Sequence, residues 1–216
     1  MASSRSKSDG HDNESEITLG LLNAVQDNSG LTQRSMANDL GIALGMANAY
    51  IKRCIRKGYI KVRQIPPNRY AYYLTPTGFS EKSRLTAEYL ASSLTFFRRA
   101  RNQCADGFKY AAARGWHRVA LAGISDLAEI ATLCASDSDA EMVGIVDPAA
   151  KQSLFADLTV VGDLAALGAV DAVLITDLAT PQETFDRLLK VLPKERLITP
   201  KLLGVTRDAP TLAEDA

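Results

Sequence analysis

The sequence predicts an α+β winged helix-turn-helix domain over residues 16–76, a long connecting helix over 77–115, and an α/β Rossmann-like parallel-sheet domain over 116–205. Three observations predict it. The charge is split: Glu16 to Arg118 holds 16 Lys+Arg against 6 Asp+Glu, whereas Val119 to Ala216 holds 7 against 16, although the whole chain is neutral. The apolar pattern changes from helical spacing before Arg118 to short continuous apolar runs after it, which is the change from amphipathic helices to buried strands. The front half also carries helix, helix and hairpin signals in close succession. A basic module is what a phosphate backbone attracts, so the front half is expected to meet nucleic acid.

The first fifteen residues are polar, without apolar periodicity, and are expected to form a disordered arm. From Glu16 the spacing of Ile17, Leu21, Leu22 and Val25 predicts a first helix that stops near Asn28-Ser29-Gly30. Thr32 is placed to N-cap a second helix with Met36, Ala37 and Leu40 on one face, broken by Gly41. A third helix runs from Ala43 to Lys57 with Ala47, Ile51, Cys54 and Ile55 inward. Small Ala37 where two helices touch, and Gly41 at the bend, are the elements of a helix-turn-helix. Beyond Gly58, a strand over Tyr59–Gln64 with Ile60 and Val62 inward, a stiff turn at Ile65–Arg69 and a returning strand from Tyr70 make the wing.

The stretch from Leu31–Ser35 through Lys57–Val62 and on to Tyr72–Lys82 resembles the winged helix-turn-helix of MarR-type regulators, in particular the group associated with exopolysaccharide clusters. The runs Arg56-Lys57-Gly58 and Leu74-Thr-Pro-Thr-Gly78 carry most of the resemblance. It implies a dimeric, sequence-specific transcription regulator with the third helix in the major groove and the wing on the minor groove.

Helical geometry agrees with that placement. If Ala47, Ile51 and Cys54 face inward, then Gly45, Met46, Asn48, Ala49, Lys52, Arg53 and Arg56 face out. An Asn48 amide can pair bidentately with adenine, Lys52 and Arg53 can reach phosphate or guanine, and Gly45 and Ala49 allow close approach to the groove. Arg34 on the second helix and Arg63, Asn68 and Arg69 on the wing complete the expected set, with the wing residues gripping backbone or minor groove. A merely solvated polar face, or a winged helix that docks proteins, is the competing reading.

Pro76 suits the start of the long helix. Leu90, Leu94, Phe97, Arg101, Cys104, Phe108 and Ala111 recur at spacings of three and four, the period of a coiled-coil seam, with Arg101 as the misfit. The stripe is expected either to make a homodimer or to pack on the second domain. Arg98, Arg99 and Arg101 are either a solvated face or a second DNA contact.

In the rear half, strands are predicted at Val119–Gly123, Met142–Val146, Thr159–Val161, Asp171–Thr176 and Arg196–Thr199, with helices at Asp126–Ala135, Asp163–Gly168 and Pro181–Leu192. Such alternation implies a parallel sheet covered on both faces, with a ligand site beyond the carboxyl ends of the strands. Gly123-Ile-Ser-Asp-Leu-Ala128 stands where a nucleotide fingerprint would, with Ser125 in place of the middle glycine. Asp126 sits at a helix N-terminus, where it repels phosphate. Asp147 stands where a carboxylate would hold a ribose, and also reads as a plain loop residue before Pro148. Val119 to Gly204 resembles the Rossmann-like domains of the CoA-binding type and the nucleotide-binding front domain of polysaccharide-pathway sugar acetyltransferases. That likeness implies a ligand set of Gly123, Ser125, Asp126, Asp147, Thr176 and Asp177. A nucleotide, nucleotide sugar or CoA-type ligand is the corresponding effector class.

No apolar run is long enough to cross a bilayer and the start has no secretory character, so a cytoplasmic location and no membrane partner are expected. Cys54, Cys104 and Cys134 are expected as reduced, buried thiols, and His11 and His117 have no metal partner set. No nucleophile–base or paired-carboxylate constellation accompanies the nucleotide-like loop, so an enzyme is not expected, and residues 206–216 read as a polar tail.

Overall fold

The computed structural model describes residues 5–65 and 69–207 and divides into two compact units, Met1–Ser93 and Leu94–Ala216.

In the first unit, α1 (Arg5–Asp27) buries Ile17, Leu21, Leu22 and Val25 as their spacing requires. The helix begins at Arg5 rather than Glu16, so residues 5–15, expected as an arm, are helical. Helix hydrogen bonding follows the backbone and continues beyond the apolar stripe that marks a helix in sequence. Residues 1–4 lie outside the described residues. α2 (Gln33–Asp39) opens on a capping box in which the Ser35 N–H donates to Thr32 Oγ1 at 3.0 Å and the Thr32 N–H to Ser35 Oγ at 3.1 Å. It closes on Gly41 at φ +62, with Gly41 N–H bonded to Asn38 O and Ile42 N–H to Ala37 O. This Schellman geometry is the sharp turn of the helix-turn-helix.

α3 (Leu44–Arg56) buries Ala47, Ile51 and Cys54, the last two in one core with Leu21, Leu22, Met36 and Tyr72. Ile55 is exposed rather than inward, because it lies 100° around the helix from Cys54. β1 (Ile60–Ile65) and β2 (Arg69–Leu74) pair antiparallel with Val62 opposite Tyr72. Ile60 and Tyr72 are buried but Val62, opposite Tyr72, is exposed, which corrects its expected inward placement: on that face the larger Tyr72 is the side chain that enters the core.

The run Leu74-Thr-Pro-Thr-Gly78 has a packing explanation. The Thr75 N–H donates to Tyr59 O at 3.0 Å, Thr75 Oγ1 accepts from the Gly78 N–H at 3.0 Å, and Pro76 takes the first helical position. A Cβ at Gly78 would fall 2.1 Å from Tyr59 O, so only glycine lets the helix start this close to the wing.

The helix α4 (Pro76–Ala112) spans the division between the units at Ser93 and Leu94. Its apolar stripe has two fates. Leu90, Leu94 and Phe97 are exposed, whereas Cys104, Phe108 and Ala111 are fully buried in the core of the second unit with Val119, Leu121, Leu174 and Ile198. Packing on the second domain therefore holds for the later half of the stripe. Arg101 sits at the surface with Asp137 at 3.3 Å.

The second unit continues with β3 (Arg118–Ala122), α5 (Asp126–Ala135), β4 (Glu141–Val146), β5 (Leu154–Phe155), β6 (Leu158–Val161), β7 (Ala172–Ile175), α6 (Pro181–Leu188) and β8 (Leu197–Ile198). The sheet order is β5-β6-β4-β3-β7-β8, parallel throughout except for the antiparallel pair β5–β6. Alternate residues of β3 enter different cores: Val119 and Leu121 pack with α4 and α5, Ala120 and Ala122 with Phe185 and Leu188 of α6.

The expectation of a wholly parallel sheet is corrected by the β5–β6 hairpin. Its two-residue turn, Ala156-Asp157, has both φ angles positive, at 47° and 61°. A turn of this kind usually advertises itself with Asn-Gly or Asp-Gly, a signal absent here. The predicted helix to Leu192 ends at Leu188, and Lys190 N–H bonds instead to Arg187 O in a tighter turn. The short helix after Asp163 is a single 3₁₀ turn over Leu164–Leu167, capped by the Asp163 carboxylate.

Candidate nucleic-acid interface

The turn before α3 and the inward packing of Ala47, Ile51 and Cys54 leave one face of this helix to solvent. Gly45, Met46, Ala49, Lys52 and Arg56 are exposed on it, and Arg34 is exposed on α2. Two gaps in side-chain bulk, Gly45 and Ala49, one turn apart, lie beside the cationic Lys52, a combination of shape and charge that would suit a groove wall and a phosphate. At the buried edge, desolvation pushes the Cys54 thiol up to about 11 against the pull of Lys57 and Arg53. All three cysteines are free and buried, Cys54 here and Cys104 and Cys134 in the second unit.

Two predicted readers stand differently from the expectation. Asn48 is only half exposed, and its Oδ1 is buried without a hydrogen-bond partner. In this rotamer the amide cannot present both its donor and its acceptor to adenine; the side chain must turn outward first. Arg53 is engaged by Glu14 of α1, Nη1 to Oε1 at 2.5 Å, with both side chains about 40% exposed. Glu14 was not legible as part of the site, since it falls in a polar stretch with no periodicity. On the wing, Arg63 is exposed on β1. Arg69 begins β2 opposite Ile65, its side chain lies outside the described residues, and so does Asn68.

Part of this segment matches a known family. Residues 14–61 match the family model of winged helix-turn-helix DNA-binding segments. No curated protein matches the chain. Among solved structures the chain is similar to the PcaV transcriptional regulator from Streptomyces coelicolor in complex with its natural ligand, at 23% identity, 38% of this chain, 59% of that chain and a TM-score of 0.35. It is similar also to MepR, a transcription regulator of the Staphylococcus aureus multidrug efflux pump MepA, at 27% identity, 39% of this chain, 62% of that chain and a TM-score of 0.34. The S. aureus MepR–DNA complex gives 27% identity, 39% and 60% coverage, and a TM-score of 0.34. The chain thus covers about three fifths of the length of these proteins, and TM-scores at this level carry no argument. The family match is confined to the first unit.

In the second unit the six expected ligand residues do converge at the carboxyl ends of β3, β4 and β7, but internal bonds occupy most of them. Asp147 accepts from the Ile124 N–H at 3.0 Å and the Ala149 N–H at 3.0 Å. Ser125 Oγ accepts from the Leu127 and Ala128 N–H groups at 3.1 and 3.3 Å and donates to Thr176 O at 2.5 Å. Thr176 is fully buried and donates to the Ala122 and Gly123 carbonyls.

Asp177 accepts from the Ala179 and Thr180 N–H groups and from the hydroxyls of Thr180 and Thr184. Burial pushes its carboxyl up, but these hydrogen bonds outweigh burial and hold it below the usual range. Gly123, at φ +95, would place a Cβ 2.5 Å from Asp177 Cβ, so its glycine serves close packing of two loops. Asp126 alone of the six is exposed. The backbone donors that a phosphate would use at Ile124, Leu127 and Ala128 are already bonded to the chain's own oxygens.

Among the described residues no group of three or more His, Cys, Asp and Glu could hold a metal ion, and no helix is long and apolar enough to cross a membrane.

Proposed function

We propose that this chain is a sequence-specific DNA-binding transcription regulator of the MarR type, acting as a homodimer and not as an enzyme. The observation that carries the reading is the exposed face of α3, with Gly45, Ala49, Lys52 and Arg56, inside a segment that matches winged helix-turn-helix DNA-binding proteins. Homodimerisation is supported by the exposed Leu90, Leu94 and Phe97, which recur on α4 at the spacing of a coiled-coil seam. A two-fold dimer would place two recognition helices about one DNA turn apart.

The second unit is read as a Rossmann-like module that senses a nucleotide-type metabolite or docks a partner. The order β6-β4-β3-β7-β8 supports this, being the 3-2-1-4-5 sequence of a doubly wound sheet. A nucleotide entering at Gly123 would have to displace the Asp147 carboxylate from the Ile124 N–H.

The test is fluorescence anisotropy of the full chain on genomic fragments at a series of salt concentrations. Specific binding whose logarithm falls linearly with the logarithm of salt is expected, because each neutralised phosphate releases counterions. Affinity that does not change with salt, or is equal on all fragments, refutes the reading.

A further inference from the structure

We propose that the second unit holds a small organic anion in a cavity separate from the β3–α5 loop, formed by α4, the end of β8 and the segment that follows. The cavity has a volume of about 760 Å³ and is lined by Gln103, Asp106, Gly107 and Tyr110 of α4 and by Ile198 to Lys201, Gly204, Val205 and Arg207. Sites of roughly 300–1,000 Å³ take drug-sized ligands. Thr199, Pro200 and Lys201 of its lining follow directly on the carboxyl end of β8, the end of a parallel strand beyond which ligands are commonly held.

The charge on its wall sets the ligand class. Val119 to Ala216 has only 7 cationic side chains against 16 acidic ones, yet two of the seven, Lys201 and Arg207, line this one cavity. Arg207 is anchored by bonds from Nε to Thr199 Oγ1 at 3.1 Å and from Nη2 to Leu197 O at 2.7 Å, which leaves Nη1 without a bond among the described residues. Lys201 Nζ likewise makes no ion pair or hydrogen bond among the described residues. The one carboxylate in the lining, Asp106, lies 3.7 Å from Lys109.

An anchored guanidinium with a free edge and an unpaired ammonium suit a carboxylate or phosphate ester. Tyr110, Ile198, Pro200 and Val205 suit its apolar or aromatic body. Gly107 shapes the floor, since a Cβ there would meet Ile198 Cγ2 at 3.0 Å, and Gln103 Oε1 holds the loop by accepting from the Leu202 N–H at 2.8 Å.

The protein carries its own reporter. Trp116 is the sole tryptophan, and its ring meets the ring of Tyr110 edge-on with centroids 5.9 Å apart. The full-length chain is titrated with benzoate, with phenyl phosphate and with uncharged benzyl alcohol while Trp116 fluorescence is followed, without DNA. A saturable change with at least one anion, and a weaker one with the alcohol, is expected. The anion that responds identifies the head group. Lys201→Glu should weaken binding about tenfold or more by reversing a charge at the ligand, and Lys190→Glu, an exposed cation outside the cavity, should leave it unchanged. No saturable response to either anion, an equal response to the alcohol, or equal titrations for the two variants would overturn the site. Because the readout needs no operator, its failure is distinct from failure of the DNA-binding reading.

Discussion

The outer face of α3 and the loops at the ends of β3, β4 and β7 are built from the same kinds of residue: small residues that permit close approach, and polar side chains suited to phosphate or hydroxyl groups. They differ in what those groups already touch. On α3, Lys52 and Arg56 point to solvent, and a Cβ at Gly45 would meet nothing within 4 Å. In the loops, Ser125, Asp147, Thr176 and Asp177 are bonded to the backbone of their own unit, and Gly123 is pressed against Asp177. Residue type and spacing suggest the chemistry of a site; only the pattern of completed hydrogen bonds says whether a partner is still needed.

The sharpest way to break this contrast is a pair of glycine substitutions. Gly123→Ala meets both a positive φ and a 2.5 Å clash, so it should cost about 3 kcal/mol or more and lower the melting temperature of the second unit by about 10 °C or more. Gly45→Ala has neither obstacle and should leave melting unchanged or raise it slightly, by helix propensity alone. Equal losses in calorimetry would erase the distinction between the two regions.

Asp177→Asn comes next, with an expected loss of about 1–3 kcal/mol from impaired acceptance of four hydrogen bonds. The sign with pH follows from the lowered carboxyl. Its contribution is complete above the unfolded value near 3.9 and is lost as pH falls through the lower folded value, so the gap in melting temperature between wild type and variant should close in acid. A gap that widens in acid would contradict the assignment.

On α3, Lys52→Ala should leave melting unaltered while weakening DNA binding several-fold on cognate and random sequences alike, and it should reduce the salt slope by about one. Loss confined to one sequence would make Lys52 a base reader. The smallest effect belongs to Glu14→Gln. Stability should change by less than about 1 kcal/mol, since both partners of the pair are well exposed, and the freed Arg53 should raise DNA affinity and steepen its salt dependence. Weaker binding would show that Glu14 positions Arg53 rather than withholding it.

Much of the architecture was legible because it rests on strong local signals. Thr32 and Gly41 bound α2, Pro76 opens α4, and α5 spans Asp126–Ala135 as read, with Ser125 at its cap. The β5–β6 hairpin was hidden because Ala156-Asp157 lacks the usual turn residues. The engagement of Arg53 by Glu14 was hidden because ion pairs between distant segments leave no periodic trace. The inward Oδ1 of Asn48 was hidden because a rotamer is not written in spacing.

By itself the amino-acid sequence determined that a basic helix-turn-helix segment precedes an acidic alternation of strands and helices, since capping, apolar period and charge are local properties of the chain. Tertiary structure decided which half of the α4 stripe is covered and which polar side chains are already satisfied. It also brought Lys201 and Arg207 to one cavity with Tyr110, nearly a hundred residues earlier in the chain. Burial and hydrogen-bond completion depend on neighbours distant in sequence, and these are chosen only when the chain closes on itself.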